Sequence, residues 1–150
     1  MPVSATFAES NRTQTERLRR LVRRLDASML AVRLPNGWTV SGALMHIAFW
    51  DRQRMCMMRR WAAGIECSGA YDGEVFNETL QPVLDLVPPE RATEFAVQSA
   101  EEVDALLLEV SDEVVAAALA RPDAPNLDRG SHRGYHLDQI ERALAEAGYS

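Results

Sequence analysis

The stretch that most constrains this chain is Val40-Ser41-Gly42-Ala43-Leu44-Met45-His46-Ile47-Ala48-Phe49-Trp50. Wound into a helix, it is apolar on nearly every side. A helix of that kind is stable only at the centre of a fold, touching neighbours all round. It is too short for a membrane span, and no other apolar run approaches the roughly 18 residues one needs. The rest of the chain must therefore supply amphipathic partners. His46 is the single ionisable group in the stretch.

The partners are legible as helices. Leu18, Leu21, Val22, Leu25 and Met29 recur at spacings of three and four, which predicts a first helix over 13–32. Residues 1–12 read as a loose lead-in. Pro35-Asn36-Gly37 is a turn. Thr39 or Ser41 caps the central helix, which is expected to run to about Ala63 and to turn amphipathic after Trp50. Glycines at 64, 69 and 73 mark a loop, followed by a short helical piece over 77–86. Pro88-Pro89 precedes a third long helix over 90–110. Ser111 caps a short helix to Ala120. The last helix is expected over 128–147, ended by Gly148. Abundant Ala, Leu, Arg and Glu agree with helices. Four long helices, each with an apolar face, predict an all-α four-helix bundle in a single domain, with a long connection between helices two and three.

Charge narrows the function classes. The chain of 150 residues has 16 Lys+Arg against 22 Asp+Glu, a net charge of −6, which argues against non-specific nucleic-acid binding. The arginines of the first helix read as a solvated face opposite Glu101, Glu102, Asp104, Glu109, Asp112 and Glu113. The N-terminal residues lack a signal-peptide core, so a cytoplasmic location with no membrane partner is expected. Two cysteines are too few for a disulfide framework. Cys56, among methionines, reads as core. Cys67 lies in the glycine-containing loop.

The chain has three histidines. His132 and His136 stand one helical turn apart, so both rings leave one face, the spacing with which a helix offers two nitrogens to one metal ion. Chance gives a four-residue gap in roughly 4% of shuffled chains, so the spacing alone makes no site. For His46 the competing reading is a core histidine bonded to a carbonyl. For the pair it is a surface position near a helix start.

Two motifs together add to this. Gly37-Trp38-Thr39-Val40-Ser41-Gly42-Ala43-Leu44-Met45-His46-Ile47-Ala48-Phe49-Trp50-Asp51 resembles the second-helix signature of the DinB-like (DinB/YfiT) superfamily. His132-Arg133-Gly134-Tyr135-His136-Leu137-Asp138-Gln139-Ile140 resembles its last-helix signature. The resemblance covers nearly the whole chain in helix order and length. It implies a bundle of up-down-down-up type and a divalent metal, Zn²⁺, Ni²⁺ or Fe²⁺, on His46, His132 and His136. One departure is Gly134 inside the pair's turn, which either admits a ligand close to the backbone or marks a looser first turn.

Around such a site, Trp50 is a candidate pocket wall and, more simply, a core tryptophan. Asp51 could orient a ligand or activate water, but the helix is turning outward there and a surface carboxylate is the simpler expectation. Tyr135 points roughly 60° from His132 and roughly 100° from His136 on an ideal helix, which favours packing over contact with a metal. No catalytic residue beyond the ligands can be named. The resemblance implies a metal-dependent enzyme, a thiol-dependent S-transferase or a hydrolase, acting on a small molecule with a low-molecular-weight thiol as partner. A homodimer is also expected. The rival expectation is a non-catalytic helical dimer of a stress response, metal-stabilised or metal-free.

Overall fold

The computed structural model describes residues 2–150, and the described residues are helical with no strand. The helices are α1 (Ala5–Arg24), α2 (Ala27–Leu30), α3 (Val40–Ala62), α4 (Gly73–Leu84), α5 (Pro89–Glu109), α6 (Asp112–Leu119) and α7 (Arg129–Glu146). As its composition requires, α3 is the central element: fifteen of its residues are buried. It packs along α5 and against α7, and α1 packs along the same two helices. No helix is long and apolar enough to cross a membrane among the described residues.

The expected lead-in is the main correction to the predicted elements. Residues 5–12 form the first turns of α1, while Met1 lies outside the described residues. Their polar sequence conceals burial. Phe7 joins an apolar cluster with Met55, Met58, Leu107 and Leu127. Asn11 is 2% exposed because it is consumed by backbone partners: its amide donates to the Leu127 carbonyl, and its Oδ1 accepts from Gly130 N–H. The first helix also ends early. Leu25 is extended, and Asp26 accepts from Met29 N–H to begin α2 as a separate turn.

The connection between α3 and α5 contains α4, which starts earlier than expected because Asp72 accepts from the N–H groups of Glu74 and Val75. Thr39 caps α3 at Gly42 N–H, and Asp128 caps α7 at Ser131 N–H. Gly148, at φ +93°, takes the left-handed conformation that ends the last helix.

The fit of α7 on α1 depends on glycine. A Cβ at Gly130 would lie 2.4 Å from the backbone of Ser10, so only glycine permits this approach. Gly134, one turn on, faces the Gln14 side chain, with 3.3 Å to its nearest atom. The glycine inside the histidine turn is therefore spent on α1 and admits no ligand. Nor is the turn loose, since His132 and His136 both lie inside α7.

Candidate metal centre

α3 carries His46 in its buried half, and α7 carries His132 and His136 one turn apart. The helices meet so that one ring nitrogen from each histidine lies within 4.8 Å of the others, a grouping that could hold a metal ion. Ring centroids are 4.4 Å apart for His46 and His136, 5.3 Å for His46 and His132, and 4.7 Å for the pair. The turn before α3 is closed by Leu34 N–H donating to the Trp38 carbonyl. It lays the Trp38 ring 4.4 Å from His46.

All three imidazoles are held below their ordinary pKa. Burial pushes His46 down to about 3, helped by His136 and Arg129. His132, half-buried, is lowered by desolvation and then by the Arg129 charge. His136 is lowered by burial, although its bond to Gln139 works the other way. Near neutral pH the rings are uncharged, the form in which imidazole binds metals.

Hydrogen bonds decide which nitrogens are available. His136 Nδ1 lies 3.0 Å from Gln139 Oε1; as donor to that oxygen it leaves Nε2 with a free lone pair. His46 makes no side-chain hydrogen bond among the described residues, so it can present either nitrogen. His132 differs. Its Nδ1 is 2.9 Å from Arg129 Nη2. A guanidinium only donates, so Nδ1 accepts and a neutral His132 holds its proton on Nε2. The donor set thus fits a metal ion once Arg129 releases His132: binding through Nδ1 needs that nitrogen free, and binding through Nε2 moves the ring proton to Nδ1.

Behind Arg129 lies Asp51. Expected at the surface, it is fully buried, because α7 sends two guanidiniums to it. Arg129 Nε donates to Oδ1 at 2.8 Å, and Arg133 Nε donates to Oδ2 at 2.9 Å. Asp51 therefore does not reach the histidines itself; it orients Arg129, which holds His132.

The histidines open into a pocket of about 400 Å³, also lined by Trp50, Arg54, Tyr71, Asn77, Asn126, Arg129 and Tyr135. Trp50 Nε1 donates to Asn77 Oδ1 at 3.1 Å, and Tyr135 is largely exposed at the rim. Trp50 and Tyr135 are thus pocket residues, and Asp51 is not. Cys56 is exposed, since its position in α3 rotates out from between the buried Met55 and Met57. Neither cysteine lines the pocket.

Sequence reasoning missed three arginines, Arg54, Arg129 and Arg133, and the loop residues Tyr71 and Asn126. A signal for all three arginines was present. Arg129 and Arg133 repeat the four-residue spacing of the histidines, shifted by three. Arg54 continues the stripe His46, Trp50 at the same interval.

No protein-family model, curated protein or solved structure matches the chain.

Proposed function

We propose that the protein is a divalent-metal-dependent enzyme of the DinB-like kind, its four long helices forming an up-down-down-up bundle. The carrying observation is that two helices bring three uncharged histidines to within 4.8 Å of one another at a pocket. Three nitrogen ligands leave room for water or substrate, as catalytic zinc sites do. A bound Zn²⁺, Ni²⁺ or Fe²⁺ would act as a Lewis acid and lower the pKa of a coordinated water or thiol. In this reading His46 and His136 bind directly and His132 joins once Arg129 lets go. Trp38 and Trp50 keep water from the ligands' flanks. The reaction class is transfer to or from a low-molecular-weight thiol, or hydrolysis, in a cytoplasmic homodimer.

A second reading has one observation in its favour. No aspartate or glutamate lines the pocket among the described residues, so no acid–base pair stands beside the histidines. That suits a non-catalytic, metal-stabilised helical dimer.

Elemental analysis of protein purified without a metal-affinity tag tests the premise of both. The expected result is about one divalent metal per chain, with little in His46→Ala or His136→Ala. Equally low metal in wild type and variants sinks the metal reading. Thiol conjugation to electrophiles by the metal-loaded protein then separates enzyme from module. Activity that survives His136→Ala would place the chemistry elsewhere.

A further inference from the structure

The pocket contains more positive charge than its surroundings balance. Arg54 is 4% exposed and Arg129 is 1% exposed, and both line it. The two guanidiniums converge on one neutral acceptor: Arg54 Nε and Arg129 Nη1 each donate to the Asn126 carbonyl at 3.3 Å. Arg129 also has Asp51, but it shares that carboxylate with Arg133. Arg54 has no carboxylate within ion-pair distance among the described residues; its other partners are neutral, namely Gln53 Oε1, the Tyr71 hydroxyl, and the ring faces of Trp50 and Tyr71 at 5.5 and 5.4 Å. Three buried guanidiniums, Arg54, Arg129 and Arg133, thus face two carboxylates, Asp51 and Asp104. One positive charge is left over, and it lies on the pocket side.

A buried cation without a counter-charge is costly, and protein interiors avoid it unless something supplies the missing charge. The unused donors indicate where it enters. Arg54 commits three of its five N–H groups and retains one on each terminal nitrogen. A guanidinium with a donor left on each terminal nitrogen suits the two oxygens of a carboxylate. The surplus of one charge matches a carboxylate better than a phosphate dianion. Trp50 and Tyr71, with ring centroids 4.7 Å apart, and Tyr135 add flat apolar walls, and the volume suits a small organic molecule.

We propose that this pocket binds a small molecule bearing a carboxylate, received by Arg54 beside Arg129, with its flat apolar part against Trp50, Tyr71 and Tyr135. The proposal deepens the reading of the site as a metal centre by naming a substrate class. It places the carboxylate on the arginines and leaves the histidines free for other atoms of the same ligand.

The test is calorimetric titration with benzoate, its neutral isostere benzamide, and phenyl phosphate. Each is titrated into chelator-treated protein and again with one equivalent of Zn²⁺. Benzoate is expected to bind at least about tenfold more tightly than benzamide without metal. Arg54→Met, its fold checked by circular dichroism, is expected to abolish that preference. Equal binding of benzoate and benzamide, or a preference that survives Arg54→Met, overturns the proposal. Tighter binding of phenyl phosphate replaces the carboxylate with a phosphate ester and also overturns it. If benzoate binds only with Zn²⁺, the carboxylate sits on the metal, and the proposal fails while the metal centre stands. Absence of metal in the purified protein leaves the chelator arm intact, so the two ideas fail separately. Should Arg54→Met not fold, the Arg54 Nε–H signal in the ¹⁵N spectrum of wild type decides. A shift with benzoate and none with benzamide supports the proposal, and an unmoved signal overturns it.

Discussion

Arg133 and Arg54 are both buried guanidiniums, yet their surroundings treat them differently. Arg133 gives every N–H to the fold. It bonds Asp51 on α3, Asn11 and Thr15 on α1, and Ala100 and Asp104 on α5, so one side chain ties α7 to the three other long helices. Burial works against its charge, but Asp51 and Asp104 more than offset this, and its pKa is raised. Arg129, four residues earlier and nearer the pocket, has the opposite balance. Burial outweighs the help from Asp51, Arg54 and Arg133 repel it, and its pKa is lowered. The lesson is that burial alone does not classify an arginine. A guanidinium whose donors are all used holds helices together, and one with spare donors on a cavity wall awaits a partner.

That contrast can be broken experimentally. The largest effect is expected for Asp51→Asn, which keeps the shape and removes the carboxylate that two buried guanidiniums share. Losing one side of a buried ion pair costs about 3–5 kcal/mol, measured by denaturant unfolding. A loss below about 1 kcal/mol would show that Arg133 does not depend on Asp51.

A middling effect is expected from each depressed histidine when the protein is exposed to acid. The folded pKa values of all three histidines lie below the value near 6.5 of an unfolded chain. As pH falls through about 6.5 the unfolded state takes up protons that the folded state refuses, so metal-free protein loses stability. For His46, with its folded pKa at about 3, the loss at pH 5 is about 2 kcal/mol. Unfolding curves at pH 7 and pH 5 should show the drop, and it should shrink in His46→Leu. A drop of the same size in that variant would contradict the neutral His46 described above.

The smallest effect is expected for Arg54→Met. Replacing a buried charge that lacks a counter-ion with an apolar chain of similar length is often neutral or favourable. Its unfolding free energy should stay within about 1 kcal/mol of wild type. A loss comparable to that of Asp51→Asn would move Arg54 into the same class as Arg133.

Much of this layout was legible beforehand. An all-round apolar run could only be central, and α3 is central. Three histidines in a chain of this length stand out by type, and they converge. The arginines carried a spacing signal but did not stand out, because sequence patterning assigns guanidinium to solvent and the groups that bury them lie far along the chain. Asp51 was misplaced for the same reason: its partners lie 78 and 82 residues away. The start of α1 was missed because residues 5–12 look solvated in sequence, whereas Asn11 donates to the Leu127 carbonyl and accepts from Gly130 N–H of α7.

Gly130 gives α7 a reference point. With no side chain there, the helix seats directly on Ser10, against both its backbone and its hydroxyl. His132 and His136 leave the same rod a few residues further on, so their placement inherits that datum. Gly130→Ala would lift the rod at its foot and move both imidazoles together relative to His46. A single methyl at this seat, touching no ring, would detune the three-nitrogen geometry as a lens mount shifted at its base defocuses the image.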